Sequence, residues 1–155
     1  PASTAPFFVL AGAADKAIVI KRIRISGATL TAVAYLNIAL GKYSTNPTGG
    51  TATAATAVPF KTGFPASSAS LVQGYTAAPT AGTLVGDLSA VRLLGQATTA
   101  TSGSYLYDYE FEFDDTLPFA VVGSAENFAL RFTAAPATAV TLSVNVEWEE
   151  YNLKS

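Results

Sequence analysis

Ser104 to Phe113 reads S-Y-L-Y-D-Y-E-F-E-F. In an extended chain successive side chains point to opposite faces, so Tyr105, Tyr107, Tyr109, Phe111 and Phe113 form one row and Leu106, Asp108, Glu110 and Glu112 the other. The spacing predicts a β-strand with one buried face. Near the C-terminus the pattern recurs, with Val140, Leu142, Val144, Val146 and Trp148 alternating against Thr141, Ser143, Asn145, Glu147 and Glu149. Strands with one wide apolar face are antiparallel and need a facing sheet to cover that face.

Outward from these two stretches the chain is a series of further short strands. Lys16 to Ser26 is rich in β-branched residues and stops at Gly27, which reads as a strand. Leu30 to Leu40 alternates less cleanly, and its Thr, Val, Tyr and Ile content favours a strand over a helix. Leu71 to Thr76, Thr83 to Leu94, Phe119 to Val122 and Phe128 to Thr133 complete the set, separated by Gly, Pro, Asn and Asp. Residues 44–70 are a Thr, Ala, Gly, Ser and Pro-rich excursion with turn signals at Asn46-Pro47, Gly49-Gly50, Gly63 and Pro65, holding one strand around Thr53 to Phe60. Loops this long inside a domain are usually functional or disordered. Eight or more strands without helical segments indicate an all-β sandwich or barrel, and an antiparallel sandwich is the expectation. At this length a jelly roll fits best; its rival, an immunoglobulin-like sandwich, typically closes in about 100 residues. The expectation is one domain over residues 1–155, with an N-terminal arm from Pro1 to Pro6.

Composition narrows the function. A chain of 155 residues buries roughly 70% of the surface its unfolded form exposes, so stability requires no metal or disulfide. Half of the residues are hydrophobic and 13% charged, the opposite of a disordered chain. Soluble domains carry about 25% charged residues, so much of this surface is left to Ala, Thr, Ser and Gly, and some of it is expected to meet other protein. Net charge is formally -2 with scattered Lys and Arg, which speaks against nucleic acid and against an anionic membrane as partners. Phe7 to Ala14, the longest early apolar run, is far short of the roughly 20 residues of a membrane span. Pro1 followed by small residues fits loss of an initiator methionine and synthesis in a cytoplasm without export.

Candidate chemistry is sparse. Without a single His or Cys, a Ser-His-Asp triad, a thiolate nucleophile and His- or Cys-ligated metal sites are all excluded, and the expectation is a non-enzyme without a cofactor. The acidic row Asp108, Glu110, Glu112, Asp114 and Asp115 has three readings. It is the solvated or ion-paired face of a strand; or it holds calcium through Asp114 or Asp115, which suit a hard cation; or same-face neighbours roughly 6.5 to 7 Å apart act as an inverting glycosidase pair, whose range is about 6.5 to 9.5 Å. Arg22 and Arg24 follow Ile18 and Ile20 in one row and are expected to pair with Glu147, Glu149 and Glu150 or to set the register of a subunit contact. Tyr105, Tyr107, Tyr109 and Trp148 read as core. Tyr35, Tyr43 and Tyr75, beside loops, read as surface.

The stretch Gln73 to Gly86, Q-G-Y-T-A-A-P-T-A-G-T-L-V-G, together with K-A-I-V-I-K-R-I-R-I-S-G near the start and V-T-L-S-V-N-V-E-W-E-E near the end, resembles small all-β virion structural proteins of tailed bacteriophages: head decoration or cement proteins and head-fibre bases. The resemblance implies a jelly-roll-type homotrimer, made in the host cytoplasm and located on the capsid surface of the virion, that joins neighbouring major capsid protein subunits. It carries no motif that transfers residue by residue. Absence of oxidisable Cys and Met suits such a role. Pro1, Pro6, Arg22, Arg24, Tyr43 and Tyr75 are the partner-contact candidates. The alternative is a carbohydrate-binding or adhesive module on a phage or cell surface, with Tyr43 and Tyr75 as stacking platforms.

Overall fold

The computed structural model describes residues 3–30, 33–97, 108–113, 118–137 and 139–153, with side chains of 28–30 and 95–97 left aside. Among the described residues ten strands run in chain order: β1 (Pro6–Ala11), β2 (Lys16–Leu30), β3 (Ala34–Tyr43), β4 (Thr51–Ala54), β5 (Leu71–Ala77), β6 (Leu84–Ala97), β7 (Asp108–Glu112), β8 (Phe119–Val122), β9 (Asn127–Phe132) and β10 (Thr141–Asn152). They build an all-β sandwich. The first sheet has the order β6-β3-β9-β1-β5-β4 with every neighbouring pair antiparallel. In the second, β10 lies along one edge of β2, while β8 and then β7 lie end to end along the other. A short parallel pairing of Thr29 with Gln96 and Leu30 with Ala97 links β2 to β6 and joins the sheets at one corner.

Between the sheets, Ile18, Ile20, Ile23 and Ile25 of β2 meet Leu36, Ile38 and Leu40 of β3 and Phe128, Leu130 and Phe132 of β9. Each of these side chains is at most 1 % exposed, and burial of each stabilises by roughly 1.5–3 kcal/mol. Phe119 of β8 packs edge-on to Phe128 of β9 at 5.7 Å and ties the two sheets, while within β7 Tyr109 packs edge-on to Phe111 at 4.8 Å, arrangements favoured by the ring quadrupole. Trp148 and the apolar row of β10 cover the same core from the edge. Of the aromatic row expected from 104 to 113, Tyr109, Phe111 and Phe113 do face the core and Asp108, Glu110 and Glu112 face out; Tyr105 and Tyr107 lie outside the described residues.

One irregularity decides which side of β2 carries charge. Strict alternation from Ile18 and Ile20 would place Arg22 and Arg24 in the same row, but β2 holds an extra residue at Lys21: β10 pairs Trp148 with Ile20 and the adjacent Glu147 with Arg22. That bulge inverts the phase, so Ile23 and Ile25 turn inward and Arg22 and Arg24 outward. The bulge falls where β8 gives way to β7, and the Phe113 N–H donates to the Lys21 carbonyl there at 3.0 Å. The expected shared row of isoleucines and arginines is therefore corrected.

β1 is the second departure. Its run Pro6 to Ala11 is apolar throughout and every residue is buried, because β1 lies inside the first sheet between β9 and β5 with both faces covered. Pro6 is thus the first residue of a strand, where a missing N–H is tolerated, and not part of a free arm; Pro1 lies outside the described residues. On the outer face of this sheet Val9 and Ala129, both 0 % exposed, lie with Tyr43 and Tyr75, 2 % and 5 % exposed, and Leu71 in a second small core. Tyr43 and Tyr75 are therefore core residues and not surface ones. The sequence misleads here because the outer face is itself covered by tyrosines from β3 and β5.

Candidate functional site

Two surfaces stand out among the described residues once the cores are accounted for. The first is the outer face of the second sheet. Cross-strand register sets Arg22 opposite Glu112 and Arg24 opposite Glu110 on β7, and opposite Glu147 and Asn145 on β10. Arg22 then reaches Glu110 at 3.1 Å, Glu112 at 3.6 Å and Glu147 at 3.8 Å. Arg24 forks onto both Asp108 oxygens, with Nε 2.7 Å from each, and its hydrogen bond holds the Asp108 carboxyl below the usual range. Lys21 pairs with Glu149 at 3.3 Å. An open groove of about 480 Å³ runs between Arg22, Arg24 and Ser26 on one side and Ser143, Asn145 and Glu147 on the other. Five carboxylates face three cations on this surface, and the three close Arg22 contacts place both glutamates of the proposed catalytic row on one guanidinium. Exposed pairs of this kind contribute about 0–1 kcal/mol each, and together they align strands.

The expected pairing of Arg22 and Arg24 with the end of β10 is corrected in part. Of the two, only Arg22 reaches β10, through Glu147, while Arg24 turns to Asp108 and Glu150 is held elsewhere. Asp114 and Asp115 lie outside the described residues, and among those described no cluster of three or more acidic side chains could hold a metal ion. No described helix is long and apolar enough to cross a membrane.

The second surface is the excursion. The anticipated turn is present, with Gly49 and Gly50 at φ 67° and 73°, and Thr48 bridges Thr80. Strand β4 follows but ends at Ala54, earlier than the expected Thr53 to Phe60. Ala55 makes the last ladder-like bond, to Val72 O at 2.9 Å; beyond it Pro59 offers no donor. Val58, Phe60 and Phe64 then project at 82 %, 86 % and 60 % exposure, with the Lys61 ammonium 5.6 Å from the Phe64 ring centroid. Large apolar side chains exposed together mark a contact surface.

The projection is fastened at its base. Glu150 is mostly buried and accepts hydrogen bonds from Ser67 Oγ at 2.7 Å, the Ser68 N–H at 3.0 Å and Trp148 Nε1 at 3.2 Å, with Lys16 at 3.4 Å. Burial opposes ionisation, yet these donors outweigh it and hold the carboxyl down at about 2. Ala69 beside this latch packs on the core, so residues 67–70 anchor the projection across the two sheets. At the same end of the first sheet the fully buried Asn127 donates to Thr45 O at 2.9 Å and Asn46 Oδ1 at 3.0 Å. Gly82 passes so near this loop that a Cβ there would stand 1.8 Å from Thr45 O.

The exposed apolar trio escaped the list of contact candidates, although V-P-F-K-T-G-F-P carries a signal: three large apolar residues between prolines inside Tyr43–Gly86, where Lys61 is the only charged residue. Comparison with known proteins returned no matching family model, no matching curated protein and no matching solved structure.

Proposed function

We propose that the chain is a virion structural protein, a decoration or cement subunit that binds the outside of a phage head and clamps neighbouring subunits of the major capsid protein. The observation that carries this reading is the projection, fastened at its base to Glu150, whose Val58, Phe60 and Phe64 stand 82 %, 86 % and 60 % exposed. A subunit that works by being touched needs such a surface and needs no active site. Charged groups of the other surface are spent on each other, which suits a scaffold. The resemblance of three stretches to virion structural proteins points the same way, and on that resemblance we read the sandwich as jelly-roll-type.

The mechanism is mass action. A multivalent clamp that binds the assembled shell but not its separated subunits shifts the equilibrium toward assembly, even when each contact is weak. Co-sedimentation with intact heads tests it: the protein should pellet with particles and stay in solution without them. Failure to pellet at saturating concentration would remove the reading. For the sugar-binding alternative, Tyr43 and Tyr75 are buried, while Tyr35 is 58 % exposed with the Arg92 guanidinium 3.9 Å from its ring centroid.

A further inference from the structure

We infer that Tyr35, Asn37 and Arg92, on the outer face of β3 and β6, bind an acidic sugar, whose ring lies on the Tyr35 ring and whose carboxylate meets the Arg92 guanidinium. The site is separate from the projection and goes beyond the virion reading, and its test needs no capsid.

Strand register assembles the site. Leu36 and Ile38 of β3 face the core, so Tyr35 and Asn37 between and beside them face outward. β3 sets Asn37 directly opposite Arg92 and Tyr35 opposite Leu94, and opposed residues of an antiparallel pair share a face. Arg92 reaches along the diagonal and lays its guanidinium over the Tyr35 ring, while both side chains stay exposed. A planar guanidinium stacked on a ring keeps its N–H edges available, and their fork geometry matches a carboxylate. The two groups are thus already held in a binding arrangement, which lowers the ordering cost of a ligand.

Charge selects the ligand. The chain has four arginines, and three are spent on carboxylates: Arg22 on Glu110, Arg24 on Asp108 and Arg131 on Asp87. Arg92 forms no salt bridge among the described residues. β3 and β6 carry one carboxylate between them, Asp87, and Arg131 of β9 holds it at 2.6 Å. A ligand for Arg92 therefore brings its own negative charge. The remaining groups suit a hydroxylated ring. The Tyr35 face, negative through its quadrupole, attracts polarised C–H groups. Beside it the Asn37 amide offers both a donor and an acceptor, and its strand is pinned there by the bond from the Thr133 N–H to the Asn37 carbonyl at 2.9 Å. An acidic protein side chain would satisfy Arg92 but has no ring to cover Tyr35, which decides for the sugar.

Isothermal titration calorimetry with a galacturonate tetramer and with sialyllactose provides the test, against the methyl esters of both sugars and a tetraglutamate peptide. Melting curves check the fold of each variant; because the side chains are exposed, the variants should melt close to the wild type. The expected result is binding of at least one acidic sugar, weakened roughly tenfold or more by methyl esterification, which removes the charge that Arg92 meets, and weakened by added salt. Tyr35→Ser and Arg92→Gln should each reduce affinity by about tenfold or more. Tyr35→Phe keeps the ring and should keep the affinity, and Phe60→Ser on the projection should leave it unchanged. Failure of both acidic sugars to bind at millimolar concentration overturns the inference, as does binding that Tyr35→Ser and Arg92→Gln leave intact. Equal affinity for tetraglutamate would make the site a contact for an acidic protein segment and would remove the sugar. None of these outcomes touches co-sedimentation with heads, so the virion reading is decided separately.

Discussion

The two outward surfaces of this sandwich solve the problem of a polar exterior in different ways. On the second sheet, β2, β7 and β10 oppose Arg22 and Arg24 to a surplus of carboxylates, so that surface is charged, cross-linked and complete within one chain. On the first, the outer face is closed by Tyr43 and Tyr75, and the chain then extends a neutral projection that leaves Val58, Phe60 and Phe64 in water. The difference teaches where contact is to be sought. Ion pairs that satisfy one another have little to offer a partner, whereas exposed apolar area is unfavourable until something covers it.

The largest expected effect comes from moving charge across the phase that the bulge sets. Exchanging neighbours, as Arg22→Ile, Ile23→Arg, Arg24→Ile and Ile25→Arg, turns two isoleucines out and carries two guanidinium groups to positions that are 0 % exposed. Two lost isoleucine burials at roughly 1.5–3 kcal/mol each, with two unpaired charges added, should abolish the cooperative melting transition seen by calorimetry. Deletion of Lys21, by contrast, leaves Ile20 followed by Arg22 and Ile23 in ordinary alternation and should keep a cooperative transition. An exchanged variant that melts normally would mean that burial of Ile23 and Ile25 does not hold the phase of β2.

Next in size is the latch. Replacing Glu150 with Ala leaves the Ser68 N–H and Trp148 Nε1 without their acceptor and should cost on the order of 2 kcal/mol, while trypsin cuts at Lys61 more readily. The same carboxyl sets a pH dependence. Because it is held at about 2 against an ordinary 4.5, the folded state binds its proton less readily than the unfolded state. Its stabilisation is whole above about pH 4.5 and drains away as pH falls toward 2. Melting temperatures at pH 7 and pH 3 should therefore converge more for Glu150→Gln than for the wild type.

Smaller still is Arg24→Ala. Its fully exposed fork to Asp108 should contribute little and should fade at high salt, as chemical denaturation at two ionic strengths would register. At the bottom of the scale, Phe60→Ser alone should shift the melting temperature of the isolated chain by nothing measurable, since an 86 % exposed ring has little burial to lose. A clear loss of stability there would place the ring in a contact within the chain and collapse the contrast between the two surfaces.

Much of the framework was legible in the sequence because period-two alternation has one dominant cause, a sheet with a wet face and a dry one. Strand β8 coincides with its expected span, and β7 and β10 place their rows as the alternation requires. What alternation could not convey was anything that breaks it. β1 has no polar row because both of its faces are covered, so its continuous apolar run read only as too short for a membrane. The bulge at Lys21 leaves no mark in composition, and the arginines were assigned to the isoleucine row in consequence. Tyr43 and Tyr75 sit beside turn residues, yet their outer sheet face is itself a small core. The projection was recognised as a long excursion, but its apolar tip was passed over for the tyrosines.

The claim that the chain acts by clamping a shell is tested most directly by the temperature at which heads rupture with and without it. Saturating protein should raise that temperature, and the combined variant Val58→Ser, Phe60→Ser, Phe64→Ser should raise it less or not at all. Identical rupture temperatures for bare and protein-saturated heads would contradict the account.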